Sequence, residues 1–175
     1  SIEPNLLSDE IIEFVNSSDK FVPHFHIPLQ SGSDQILKKM RRRYKTALYQ
    51  SRVELIRKLM PNASIGVDVI VGFPGETEYD FELTKSAFKE SGFEMAFIFK
   101  YSERSGTPAA VLDDKVPKEV KESRNKELLN LLEDQSLDSN QKLLGKTLEV
   151  LVEGHARKGE GKLFGRTLCY RKVVF

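Results

Sequence analysis

The stretch Ile65-Gly66-Val67-Asp68-Val69-Ile70-Val71-Gly72-Phe73-Pro74-Gly75-Glu76-Thr77 decides the fold of this chain. A β-branched apolar run stops abruptly at a Gly-Phe-Pro-Gly-Glu turn, and a helix-start signal follows at once. Val67 to Val71 reads as a buried parallel strand, since strands covered on both faces are rich in Val, Ile and Leu. Gly72 and Gly75 permit backbone angles and close approaches that a Cβ would forbid. Thr77, with Asp80 three residues later, resembles a capping box built with a shorter acid than usual. Strand, tight turn and helix N-terminus make a βα unit, and ligands of α/β proteins bind at the carboxyl ends of strands. An ordinary capped turn would give the same pattern.

Working outward, Asp9 to Val15 reads as a short helix capped by Ser8. Phe21 to Ile27 reads as a strand, ended by Pro28 and the Gln30-Ser31-Gly32-Ser33 turn. Ser33 then caps a short helix carrying Ile36, Leu37 and Met40. Thr46 to Met60 is a clearer helix, with Leu48, Leu55, Ile56 and Leu59 at helical spacing and Pro61 as its stop. Thr77 to Ser91 is the next helix, closed by Gly92. Phe93 to Tyr101 is another apolar strand, ending in Ser102-Glu103-Arg104-Ser105-Gly106-Thr107-Pro108. Successive strand–turn–helix units predict a parallel sheet. They also place Gln30, Glu76 and Arg104 along one rim, the expected ligand face.

The pattern changes after Pro117. Val116 to about Leu144 reads as a long charged helix ended by Gly145. Alternation from Lys146 onward, a basic glycine-containing loop from Gly154 to Lys162, and the segments Leu163 to Thr167 and Arg171 to Phe175 predict a β-type module set apart by the helix. Two or three strands are too few for a closed barrel. The predicted division is 1–144 and 145–175.

Composition bounds the rest. The chain has 175 residues, 39% hydrophobic and 30% charged, which suits one ordinary domain or one domain plus part of another. A formal net charge of +1 names no partner. Local charge says more: Lys38 to Lys45 holds Lys38, Lys39, Arg41, Arg42, Arg43 and Lys45 without an acid, and Arg157 to Lys172 is also basic. No apolar run is long enough for a membrane span and no signal-peptide pattern is present, so no membrane partner is expected. Cys169 is the single cysteine, which rules out an intrachain disulfide and makes a cytoplasmic setting the default. His24 and His26 share one strand face and read as satisfied polar residues rather than metal ligands. The chain opens at Ser1 in mid-pattern, which suggests a fragment.

Four motifs in register carry a resemblance. They are His26-Ile27-Pro28-Leu29-Gln30-Ser31-Gly32-Ser33-Asp34, Met40-Arg41-Arg42-Arg43-Tyr44, Asp68 to Thr77, and Phe99-Lys100-Tyr101-Ser102-Glu103-Arg104-Ser105-Gly106-Thr107-Pro108-Ala109-Ala110. Together the chain resembles the radical S-adenosylmethionine (SAM) methylthiotransferases, MiaB-like and MtaB-like enzymes. Its tail, with Gly165-Arg166-Thr167, resembles the start of their RNA-binding TRAM module. The resemblance implies an α/β fold: the C-terminal half of a radical-SAM (β/α) barrel, a long helix, and a partial β-barrel (TRAM-like) module.

It also implies cofactors and partners: SAM and two [4Fe-4S] clusters in the intact protein, an electron donor, and a tRNA anticodon stem-loop as substrate. The family's cluster cysteines are absent, so no metal ligand and no catalytic residue is expected here, and the chain is expected to be inactive alone. Gln30, Ser31, Arg42, Gly72, Phe73 and Glu76 are the expected cofactor contacts: amide and hydroxyl for ribose or the amino-acid end, a guanidinium fork for a carboxylate, backbone and ring for adenine. Tyr101 and Arg104 are expected to stack on bases, and Arg157, Lys158 and Arg166 to touch phosphates. Each has a plainer role open to it: Gln30 and Ser31 as helix caps, Phe73 as core, Glu76 at a helix dipole, Arg104 paired with Glu103 or Asp113. Ser31-Gly32 favours tRNA over a ribosomal-protein substrate. The first half leans slightly to threonylcarbamoyl-adenosine enzymes, the second to isopentenyl-adenosine enzymes. A non-catalytic RNA-binding module is the alternative from another class. Two open sheet edges predict self-association or poor stability.

Overall fold

The computed structural model describes residues 1–175. In chain order the elements are α1 Asp9–Ser17, β1 His24–His26, α2 Asp34–Lys39, α3 Thr46–Leu59, β2 Ser64–Val71, α4 Glu78–Ser91 and β3 Met95–Lys100. A 3-10 turn, Pro108–Val111, leads to α5 Lys118–Gln141, then β4 Val150–His155, β5 Leu163–Thr167 and β6 Lys172–Val174.

The helix starts follow local chemistry. Ser8 Oγ accepts from Ile11 N–H and Ser33 Oγ from Ile36 N–H. Thr77 and Asp80 form the reciprocal capping box, each side chain accepting from the other's backbone N–H at 3.2 and 2.9 Å. Gly92 closes α4 in the left-handed region, φ 57°. The strands are shorter than the sequence predicts. β1 begins after Pro23, which has no N–H to give a ladder. β3 begins after Phe93, whose ring is fully buried against Phe88, centroids 5.0 Å apart.

β1, β2 and β3 form a parallel sheet in that order. Alternation gives β2 two different faces. Val67, Val69 and Val71 are fully buried beneath the helices, with Phe81 and Phe88 of α4 packed in the same core. Burying each such side chain contributes about 1.5–3 kcal/mol. The opposite face is open. There Asp68 and Ile70 stand beside Phe97 and Phe99 of β3, which are about half exposed. Asp68 Oδ1 lies 3.2 Å from His26 Nε2. The outer edge of β1 is partly taken, since Ile2 N–H donates to the His26 carbonyl at 3.0 Å.

α5 crosses the helical side of the sheet. Leu128 is completely buried, and Asn125 Nδ2 donates to the Ile98 carbonyl at 2.9 Å. β4, β5 and β6 make a separate antiparallel sheet, with a bulge between Val152 and Gly154. This module has its own sheet and also makes contacts with the rest of the chain. Its Tyr170 ring stacks on His24 at 4.4 Å, and Arg171 donates to Asn140 Oδ1 at 3.0 Å and Ser139 Oγ at 2.8 Å. It is therefore docked at the amino end of the parallel sheet, beside the starts of β1 and β3.

Candidate functional site

A cleft of about 610 Å³ opens at the carboxyl ends of β2 and β3. It brings together Gln30, Arg42, Phe73, Tyr101 and Arg104, five of the residues singled out in the sequence.

Gln30 is held from both sides by β2. Its N–H donates to the Asp68 carbonyl at 2.8 Å and its carbonyl accepts from Ile70 N–H at 2.9 Å. It adopts φ 63°, uncommon for a residue with a side chain. Such backbone strain clusters at ligand sites. Arg42 sits in the α2–α3 loop and binds Glu3 Oε1 through Nη1 at 2.6 Å. Its Nε is buried without a partner, which leaves the fork one unmet donor. Phe73 is nearly buried and meets the Tyr101 ring edge-on at 5.1 Å. The Tyr101 hydroxyl is also buried without a partner. Arg104 is exposed and makes no ion pair, because Glu103 is taken by Lys115 at 2.9 Å.

The sequence reading missed several walls of this cleft. Asp68 supplies its one carboxylate, Ile70 and Phe99 its apolar floor, and Lys39, Arg41 and Lys100 further positive charge. Alternation along β2 and β3 held that signal, because it sends Asp68, Ile70 and Phe99 to the face opposite the buried valines.

Three expected cofactor residues are placed elsewhere. Ser31 is fully buried, with Oγ accepting from Ser33 N–H at 3.2 Å and lying 3.5 Å from Thr84 Oγ1. It fastens the turn to α4. Gly32 allows that approach, since a Cβ there would lie 2.5 Å from the Leu83 carbonyl oxygen. Gly72, at φ 71°, is covered by the Lys121 stem, and its N–H donates to Glu76 Oε2 at 2.7 Å. Glu76 is buried and receives Arg124 Nη1 at 2.7 Å. Burial pushes its carboxyl above the usual range, and the Gly72 N–H and the guanidinium pull it back. Glu76 thus braces the turn beneath Phe73. Arg124 reads in the sequence as one more charge on a polar helix, and nothing local marks it as the partner of Glu76.

The three basic residues of the β-module are not brought to the cleft. Arg157 and Lys158 border a hollow of about 240 Å³ with Phe164 and Lys172. Arg166 pairs with Glu153 at 2.9 Å and lies 4.3 Å over the Tyr170 ring. Among His, Cys, Asp and Glu no group of three is placed to hold a metal ion. No helix is long and apolar enough to cross a membrane.

Comparison with known proteins agrees with this architecture. The family model of the radical SAM superfamily matches residues 1–87. A protein of Desulfitobacterium hafniense named tRNA-2-methylthio-N(6)-dimethylallyladenosine synthase is 44% identical over 172 residues, 98% of this chain and 38% of that protein. Proteins of the same name from Clostridium botulinum and Carboxydothermus hydrogenoformans are 47% and 46% identical over the same length. The chain thus spans well under half the length of the curated relatives it matches. Coproporphyrinogen III oxidase of Escherichia coli, a radical SAM enzyme, superposes with a TM-score of 0.63 at 11% identity, covering 94% of this chain and 43% of that one. That likeness speaks for the fold alone. The chain is thus similar to the radical SAM superfamily over its first half and, over nearly its whole length, to proteins named tRNA-2-methylthio-N(6)-dimethylallyladenosine synthase.

Proposed function

We propose that this chain serves a tRNA methylthiotransferase, and that its cleft holds SAM and the target adenosine. The observation that carries the reading is the cleft itself, at the carboxyl ends of parallel strands, where Gln30, Arg42, Phe73 and Tyr101 converge. The donor set suits the cofactor. Arg42 has a buried unmet N–H for a carboxylate, Gln30 an amide for hydroxyls, and Phe73 a ring for adenine. When bound, SAM supplies radical and methyl-transfer chemistry. The residues here bind it, orient it and exclude water with the Phe73–Tyr101 wall.

The iron–sulfur clusters are a different matter. With Cys169 the single cysteine and no metal-ligating group of three, the residues of this chain do not fit a cluster. The cluster ligands are not among them.

The relatives' names favour N6-dimethylallyladenosine in tRNA as the target. The apolar floor of Ile70 and Phe99 suits a dimethylallyl group. The threonylcarbamoyl leaning rests on the first half of the sequence and has the cleft's basic rim in its favour, since that group carries a carboxylate. Mass spectrometry of tRNA nucleosides decides between them. The full-length protein, given tRNAs bearing each modified base, is expected to convert the dimethylallyl form. Conversion of the threonylcarbamoyl form alone would overturn the choice of base, and conversion of neither would overturn the reading. A cytoplasmic location follows from a tRNA substrate, as does contact with the anticodon stem-loop.

A further inference from the structure

Most charged side chains that anchor this structure are paired. Arg52 meets Asp9, Arg57 meets Glu94, Lys85 meets Glu82 and Glu127, and Arg124 meets Glu76 and Glu78. The run from Lys38 to Lys45 is different, because its unpaired cations are crowded together. Arg42 binds Glu3, but Lys38, Lys39, Arg41, Arg43 and Lys45 have no carboxylate within 4.0 Å. Like charges crowded without acids repel one another, so the arrangement costs stability unless an anion relieves it.

These residues are arranged around a groove. Lys38, Arg42, Arg43 and Lys45 line a concavity of about 820 Å³ between α2 and α3. Tyr44 is a buried wall of it, its hydroxyl donating to the Pro28 carbonyl at 2.9 Å. The groove's one acid, Asp34, is engaged: its Oδ1 accepts from Thr46 N–H at 2.8 Å and from the Thr46 hydroxyl at 3.0 Å. Arg42 lines both the groove and the cleft, so the two are adjacent. The β-module, with the other basic cluster, is docked at the amino end of the sheet through Tyr170 and Arg171. Phosphates near the cleft mouth therefore need cations of their own.

We propose that this α2–α3 groove is a phosphate track for RNA, holding the sugar–phosphate backbone next to the nucleotide that enters the cleft. The assignment deepens the tRNA reading above and rests on it. Lys38, Arg43 and Lys45 are its main contacts, and Lys39 and Arg41 lead from it to the cleft. Such contacts fix register without reading sequence. Adjacency to the cleft, through Arg42, favours RNA over an acidic protein or an anionic membrane surface.

The test replaces Lys38, Arg43 and Lys45 together by Gln in the full-length protein. The probe is an unmodified tRNA anticodon stem-loop RNA, titrated over a range of KCl concentrations. Each phosphate contact contributes about 0.7 to 0.9 to the slope of log affinity against log salt. The triple variant is expected to lower that slope by about 2 and to bind at least about tenfold more weakly in low salt, with SAM binding unchanged. Equal affinity and slope, with the parent protein binding RNA, would overturn the groove alone. Failure of the parent protein to bind the stem-loop at any salt would overturn the tRNA reading and the groove with it. Hydrogen exchange of the unaltered protein provides a second reading, independent of how the variant folds. RNA is expected to protect residues 38–48, and protection confined to residues 155–175 would contradict the proposal.

Discussion

At the amino end of the parallel sheet, Arg171 is held by Asn140 and Ser139, Arg166 by Glu153, and His24 by the Tyr170 ring. At the carboxyl end, Arg104, Arg41 and Lys39 make no ion pair, while Arg42 Nε and the Tyr101 hydroxyl are buried and unmet. One end uses polar groups to close an interface. The other leaves them available around a cleft. Buried polar groups are normally satisfied, because an unmade hydrogen bond costs about 1–3 kcal/mol. Unmet buried groups occur at both ends, His24 Nδ1 and Arg171 Nε at the amino end among them, so the contrast rests on the unpaired cations and the cleft at the carboxyl end.

The comparison can be broken most forcefully through the brace beneath the cleft. Arg124→Ala leaves the Glu76 carboxylate buried and unpaired, with an expected loss of about 3–5 kcal/mol in urea unfolding. The double variant Arg124→Met, Glu76→Leu is expected to recover most of it, because two apolar groups need no partner. A single variant as stable as the parent would show that the brace is idle.

At the cleft itself, Phe73→Ala removes a nearly buried ring and its edge contact to Tyr101. SAM affinity is expected to fall about tenfold or more, equivalent to about 1.4 kcal/mol. Tyr170→Ala, at the other end, is expected to leave SAM affinity unchanged. Calorimetry on the two variants sharpens the contrast, and equal losses would erase it.

The interface at the amino end should respond to pH. Burial lowers the His24 pKa below 6.5, opposed by a backbone hydrogen bond to Ser64 and by Glu94, and reinforced by His26. Arg166 and Arg171 also face this region from the β-module. A histidine whose folded pKa is depressed contributes stability that is present above its unfolded pKa and is lost as pH falls below it. Docking is therefore expected to weaken below about pH 6.5, by about 1 kcal/mol, the scale of one aromatic pair. Hydrogen exchange across β5 and β6 at two pH values reads this directly, and a flat profile would contradict it.

The smallest effect belongs to the turn that starts α4. Burial raises the Asp80 carboxyl, and hydrogen bonds from Ser33 and Thr77 outweigh it, so the net shift is downward. Its contribution is present above the unfolded pKa and is lost as pH falls through the folded value. Asp80→Asn is expected to cost about 1 kcal/mol, the scale of a lost cap, and to flatten the acid limb of the stability profile. An unchanged acid limb would remove Asp80 from that role.

Much of this was legible where a residue's role is local. Gly72, Gly75, Thr77 and Asp80 announce a strand, a turn and a capped helix, because positive φ and capping are properties of a few consecutive residues. Gln30 and Arg104 could be placed on one rim because parallel strands put their following turns together, although the same reading put Glu76 there with them. The fates of Ser31, Gly72 and Glu76 depend on partners far along the chain, Thr84, Lys121 and Arg124, which no local pattern reveals. The contacts that dock the β-module are hidden for the same reason. Tyr170 and Arg171 find their partners more than thirty residues away, on α5 and β1.

The most direct test of the cleft assignment is NMR titration of this chain with SAM. Backbone shifts are expected to cluster at Gln30, Arg42, Ile70, Phe73 and Tyr101 and to leave β4, β5 and β6 untouched. Shifts confined to the β-module, or none at saturating cofactor, would contradict the claim that the carboxyl end of the sheet is the binding site.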